Sequence, residues 1–226
     1  MSNLLVIGAS SGMGAAIVDT ARSEGKQVFA ISRNPVEHAF KHFECNVLSD
    51  PLPEIQEPLH GLVYCPGSIN LKPFTRLKPE DFTLDFELNV LGAVRCLQFY
   101  HSNLLAANFA SVVMFSTVAV QTGFPYHASV ATSKGAIEGL TRTLAAEWAP
   151  TIRVNAIAPS LTDTPLAERL LREDSKKQAA AIRHPLKRVG EANDLANMAL
   201  FLLSDKASWI TGQILHVDGG ISSIRS

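Results

Sequence analysis

Residues 6–14 read VIGASSGMG, a turn in which Gly8, Gly12 and Gly14 follow an apolar run and precede a helical pattern. Glycines at such a turn let backbone approach a pyrophosphate, and the helix that follows offers free N–H groups and a positive dipole end. Spacings of i, i+4 and i+6 are not G-x-G-x-x-G. By itself the turn is equally compatible with a tight structural corner. Its place after the first strand of an alternating chain is what argues for a nucleotide.

That alternation runs outward from the turn. LLVIGAS (4–10) reads as a buried strand and GMGAAIVDTARSEG (12–25) as a helix stopping at Gly25. Further strands are expected at 27–32 (QVFAIS), 42–47 (HFECNV), 61–67 (GLVYCPG), 110–117 (ASVVMFST) and 152–159 (IRVNAIAP), with a last one in QILHVDGG (213–220). Helical patterns cover about 79–107 with a break near Asn89, 128–148 ending before Pro150, 165–184, and 191–204. Uninterrupted apolar strands alternating with helices imply a parallel sheet covered on both faces, an α/β doubly wound Rossmann fold of about seven strands. The link from Val47 to Gly61 carries three prolines in LSDPLPEIQEP, so that crossover should be short of a full helix. No repeat, low-complexity tract or linker divides residues 1–226, which read as one domain.

Composition narrows the function. Of 226 residues 46% are apolar and 18% charged, with a net charge of −1. That balance gives no electrostatic reason to expect nucleic acid or a membrane surface. No apolar stretch approaches the ~20 residues of a membrane span, and MSNLLVIGAS lacks the basic start of a signal peptide. Cys45, Cys65 and Cys96 lack metal-ligand spacing and sit in apolar runs. They read as buried free thiols of a cytoplasmic protein, with no metal site.

The second strand ends in AISRNP, placing Ser32 and Arg33 where an NAD site usually has an acid for the ribose hydroxyls. A guanidinium makes charge-assisted bonds to phosphate. NADP(H) is therefore favoured over NAD(H); the alternative is a surface arginine at a strand end.

With these pieces in place the chain resembles the classical short-chain dehydrogenases/reductases over essentially its full length. The resemblance rests on GASSGMG, YCPG, ELNVLGA, FSTVA, KGAIEGLTR, IRVNAIAPSLTDTP and VDGG. It implies a Rossmann-fold oxidoreductase moving hydride between NAD(P)(H) and a carbonyl or alcohol, working as a homodimer or homotetramer. By position, Ser10, Ser11 and Met13 join the glycines at the pyrophosphate, while Asn46 and Val47 meet the adenine. Pro66 and Gly67 keep a tight backbone beside the cofactor. Pro159, Leu161, Thr162 and Thr164 serve the nicotinamide amide and phosphates, with Ser160 where glycine is common. Asn89 matches an asparagine holding a helix kink and a relay water, Lys134 the lysine on the nicotinamide ribose, and Thr117 the serine that holds substrate.

The resemblance fails at one residue. The family's tyrosine, its proton donor, falls on Val130 in HASVATSKGAIEGL (127–140). Three readings stay open. Another group replaces the phenol, GFPYHASV offering Tyr126, His127 and Ser129 immediately upstream, with His127 and Tyr126 foremost: if Pro125 starts the helix, 126, 130 and 134 share a face and 127 is nearly aligned with 134, and imidazole exchanges protons near neutral pH. Alternatively Thr117 and ordered water suffice, or the chain binds NADP(H) without catalysis. The resemblance also places a substrate roof over 161–184, where Leu166 and Leu170 suit either a hydrophobic ligand or ordinary packing.

Overall fold

The computed structural model describes residues 2–224. Seven parallel strands form one sheet: β1 (Asn3–Ile7), β2 (Gln27–Ser32), β3 (Lys41–Glu44), β4 (Gly61–Tyr64), β5 (Ala110–Phe115), β6 (Ile152–Pro159) and, at the far edge, β9 (Ile214–Val217). The spatial order is β3-β2-β1-β4-β5-β6-β9, so the chain reverses direction across the sheet between β1 and β4. In open α/β sheets a ligand crevice forms beyond the strand ends at such a reversal. The glycine turn sits there: Gly8 N–H donates to the Ile31 carbonyl at 2.8 Å, and Cys65 N–H to the Ile7 carbonyl at 2.9 Å.

Helices cover both faces. On one lie α1 (Gly12–Ser23) and α8 (Ala192–Leu203), packed on each other and on Leu4, Val6, Val28, Val63, Val113 and Ile157. On the other, α3 (Gly92–Ala106) and α5 (Ala128–Trp148) cover Leu5, Ile7, Phe29, Leu62, Val112 and Val154. Adjacent residues of each central strand point to opposite cores, which is why strands such as β1, β2 and β4 carry continuous rather than alternating apolar runs.

Several boundaries differ from the sequence expectation. The third strand pairs only over Lys41–Glu44 and stops before Cys45–Val47. There Asn46 turns the chain, its Oδ1 accepting from Leu48 N–H at 3.2 Å while Asp50 Oδ2 accepts from Asn46 N–H at 2.7 Å. The crossover after it contains no helix. The expected break near Asn89 is a π-helical turn, Glu87–Leu91, between α2 (Pro79–Phe86) and α3. The 165–184 excursion is broken into a 3₁₀ turn (Pro165–Ala167), α6 (Glu168–Leu171) and α7 (Asp174–Arg183). Its base is pinned by a ladder absent from the sequence reading, β7 (Thr162–Asp163) with β8 (Gly190–Glu191). A four-residue helix, α4 (Ala119–Thr122), follows β5.

No helix among the described residues is long and apolar enough to cross a membrane. Cys45 and Cys96 are buried free thiols, whereas Cys65, also expected in the core, is only half-buried and faces a cavity.

Candidate active site

The glycine turn is shaped by positive φ at Gly8 (79°) and Gly12 (54°), a backbone region L side chains rarely adopt. A Cβ on Gly8 would lie 2.9 Å from Pro66 Cδ, and one on Gly14 only 2.1 Å from the Gly8 carbonyl oxygen. Both glycines are therefore required by close approach. The N-cap of α1, Ser11, makes no side-chain cap bond, and the first turn holds no acid. The positive end of α1 is left uncompensated, as an anion site needs.

Beyond the ends of β1, β4, β5 and β6 lies a cavity of about 620 Å³. Of the sequence candidates, Met13, Gly67, Thr117, Tyr126, His127, Lys134, Pro159, Leu161, Thr162 and Thr164 line it, and Val130 forms part of its wall. Gly12 adjoins it, its Cβ position 3.3 Å from Thr164. Arg33, Asn46 and Val47 lie apart from this lining, past the ends of β2 and β3 on the same edge of the sheet; Arg33 is exposed. Ser32 is buried, and its hydroxyl donates to the Asn34 carbonyl at 2.7 Å, with His42 Nε2 at 3.0 Å.

Lys134 is buried at the cavity floor and takes part in no ion pair among the described residues. Burial pulls its ammonium down to about 8, opposed by the nearby Cys65 and Asp85. The Cys65 thiol, desolvated in turn, is pushed up to about 12. A Cβ on Gly67 would stand 3.5 Å from both Lys134 Nζ and Asn89 Oδ1, so backbone without a side chain separates the two. Asn89 Nδ2 donates to Ser68 Oγ (3.1 Å) and Ser133 Oγ (3.0 Å), while its buried Oδ1 has no partner. Ser68 and Ser129 both donate to the buried Asp85 carboxylate, Ser68 at 2.6 Å. The π turn is what aims Asn89 inward, a known use of such insertions.

These features fit a nicotinamide dinucleotide. An orphaned carbonyl oxygen and a buried ammonium stand side by side, a glycine cradle opens beneath an uncapped helix, and a cationic side chain lies past the second strand.

The proposed replacements for the phenol separate here. The helix does not extend back through Pro125: Tyr126 has φ 71°, in the left-handed region, and α5 begins at Ala128. Tyr126 therefore does not share a helix face with Val130 and Lys134, and its ring is mostly exposed at the cavity mouth. His127 is the N-cap residue. Its Nδ1 lies 2.8 Å from the Pro125 carbonyl, which can only accept, so Nδ1 carries a proton and Nε2 is left free. Phe124 packs beside the ring, centroids 5.7 Å apart.

Sequence reasoning missed two features. The Asp85–Ser68–Ser129 cluster draws on three segments, Ser68 lying 17 residues before Asp85 and Ser129 44 residues after it. Ser160 Oγ and His184 Nε2, both on the cavity wall, are 2.8 Å apart across 24 residues. Single serines and a lone histidine carry no periodic signal, so neither pairing was legible. Among the described residues no cluster of three or more His, Cys, Asp or Glu could hold a metal ion.

Comparison with known proteins agrees with the geometry. Residues 8–222 match the family described as enoyl-(acyl carrier protein) reductase. A tropinone reductase homolog of Arabidopsis thaliana is 36% identical over 244 residues, covering 96% of this chain and 92% of that protein. L-xylulose reductase of Bos taurus is 30% identical over 230 residues, covering 96% and 94%. The ligand-free aldohexose dehydrogenase of Thermoplasma acidophilum superposes with a TM-score of 0.88 at 27% identity, covering 100% and 96%. The cavity, its lysine and its glycine turn thus sit on a chain that belongs to the short-chain dehydrogenase/reductase family.

Proposed function

We propose that this chain is an NADP(H)-dependent oxidoreductase that interconverts a carbonyl and an alcohol, with a proton donor other than a phenol at position 130. The observation that carries the reading is the convergence of Lys134, Thr117 and His127 on one cavity beside the glycine turn. The dinucleotide, when bound, supplies or accepts the hydride. Gly8, Gly12, Gly14 and the start of α1 hold its pyrophosphate; Lys134 holds the nicotinamide ribose, and Asn89 Oδ1 takes the water beside it. Thr117 donates to the reacting oxygen, and apolar Leu161, Leu166 and Leu170 exclude water around it.

His127 brings protons to the cavity from solvent, since Nε2 is free and the ring sits at the mouth. Turnover of a carbonyl panel with NADPH tests the activity. In dilute buffer His127→Ala is expected to lower that turnover about 100-fold, within the range of general acid–base effects, and small imidazole buffers should restore it. No loss in dilute buffer would remove His127 from the reaction.

Arg33 selects the phosphorylated cofactor. Replacing it with Ala should weaken NADPH binding by about 10–100-fold, the ~1.5–3 kcal/mol of a charged hydrogen bond, and leave NADH within a few-fold. Fluorescence titration with both nucleotides checks this, and equal losses for both would refute it.

A second reading, an NADP(H)-binding module without turnover, draws on Val130, an apolar side chain in the cavity wall. Tight nucleotide binding with no turnover of any carbonyl or alcohol would favour it. In either reading we infer one cytoplasmic domain without nucleic-acid or membrane partners. Exposed Leu91, Phe99 and Leu105 along the π turn and α3 support a homodimer or homotetramer, which light scattering would measure.

A further inference from the structure

We propose that Ser160 and His184 form a proton-transfer couple that meets the reacting oxygen of the substrate in place of the absent phenol. The inference rests on the oxidoreductase reading above and deepens it.

Ser160 follows the last residue of β6. Val118 N–H donates to the Pro159 carbonyl at 3.1 Å, so Ser160 and Thr117 end adjacent strands at the same cavity wall. Behind Ser160 stands His184, buried, at the C-cap of α7. Its Nδ1 is 2.8 Å from the Ala180 carbonyl, which only accepts, so Nδ1 carries the proton. Nε2 is then the acceptor, and the 2.8 Å contact is a hydrogen bond donated by Ser160 Oγ. A hydroxyl bonded to an imidazole whose far nitrogen is held by a fixed acceptor is the arrangement in which a serine can pass a proton on. Gly219 adjoins the ring: a Cβ there would stand 3.5 Å from His184 Cδ2.

The step is a proton transfer with no change of oxidation state. For an alcohol substrate, its O–H bond breaks as a new Ser160 O–H forms, and the original Ser160 O–H breaks as His184 Nε2–H forms. The charge ends on the imidazolium, still donating through Nδ1 to Ala180. Reduction of a carbonyl runs the same bonds in reverse. His184 has no solvent exposure to speak of, so the couple recharges through cavity water, the supply assigned above to His127.

The same bonds would also tie α7 to β6 as a simple latch, and the two roles predict different results. For the couple, Ser160→Ala and Ser160→Gly each lower kcat at least 100-fold, while KM and NADPH affinity change less than threefold. His184→Ala falls equally, and the double variant falls no further than the worse single one, as for groups acting as a unit. Added imidazoles restore the His184→Ala rate in order of basicity. A latch predicts losses in KM and nucleotide affinity, with rescue following size; that pattern overturns the proposal.

A second readout does not depend on turnover. In the ¹⁵N spectrum of the nucleotide-free chain, His184 should show a protonated Nδ1 and a hydrogen-bonded Nε2 that shifts to its unbonded position in Ser160→Ala. A proton on Nε2 would overturn the couple whatever the kinetics. Wild-type turnover that survives Ser160→Ala overturns the couple alone, whereas no wild-type turnover overturns the oxidoreductase reading and the couple with it.

Discussion

Lys134→Met is expected to abolish turnover, by 100-fold or more, and at the same time to make the nucleotide-free chain more stable. The two effects have one cause. Lys134 is buried with no carboxylate in ion-pair contact among the described residues, and burial lowers its pKa to about 8 from 10.5. Below pH 8 both the folded and unfolded chains carry the proton, and the folded chain bears the whole cost of a desolvated ammonium. Each pKa unit corresponds to ~1.4 kcal/mol, so this cost is on the order of 3–4 kcal/mol at most. Between 8 and 10.5 the folded chain sheds the proton while the unfolded chain keeps it, so wild-type stability rises with pH through that window. A methionine of similar length should therefore raise stability by about 1–3 kcal/mol at pH 7, with an advantage that shrinks toward pH 10.5. Denaturant titrations of both chains at pH 7 and 9.5 check it. A variant less stable than wild type at pH 7 would mean that Lys134 is held by contacts the burial argument omits. If Lys134 holds the nicotinamide ribose as proposed, NADPH affinity should fall in parallel with activity.

Gly14→Ala is expected to cost about 3 kcal/mol or more and to weaken nucleotide binding at least 100-fold. The added methyl would stand 2.1 Å from the Gly8 carbonyl oxygen, 2.9 Å from its carbon and 3.1 Å from Ala9 Cα. All three are backbone atoms, so no side chain can turn aside; α1 must lift from the turn, and its packing on α8 goes with it. Forcing atoms into a packed core ordinarily costs ~1–3 kcal/mol, and a backbone clash of this depth belongs at or above that range. Gly25→Ala is the control. Gly25 also has positive φ (76°), yet nothing lies within 4 Å of its Cβ position. It should lose only the ~1–2 kcal/mol of left-handed strain and keep its nucleotide affinity. Thermal melts and fluorescence titration of both variants separate a steric demand from a conformational one. Equal losses in the two would show that the close approach at Gly14 relaxes.

Most of the fold was legible because burial on both faces marks the central strands with short runs of consecutive apolar residues, such as Leu4–Ile7, Val28–Ile31 and Val112–Phe115, each ended by Gly or Ser. What the pattern could not supply were the ends of elements. β3 stops where Asn46 and Asp50 bond local backbone, and the start of α5 is set by the left-handed Tyr126. Both are outcomes of local competition that propensity does not rank. The ladder of β7 and β8 is two residues long, too short for any periodicity. At the site, Lys134, Asn89 and Thr117 could be placed because their surrounding motifs resemble those of the short-chain dehydrogenases/reductases. The pairing of Asp85 with Ser68 and Ser129, and of Ser160 with His184, could not, since each pair exists only through what the fold brings into contact.

The order of apolar runs and glycines in this chain was enough to specify a doubly wound parallel sheet with an anion-ready turn after its first strand. Those properties depend on neighbours near in sequence and on burial that repeats with the period of strand and helix. Folding in three dimensions decided which imidazole stands behind a hydroxyl, which tyrosine leaves the helix face, and which ammonium is left without a partner. Hydrogen bonds and desolvation act over a few ångströms between residues tens of positions apart, and such distances exist only once the sheet has brought its strand ends together.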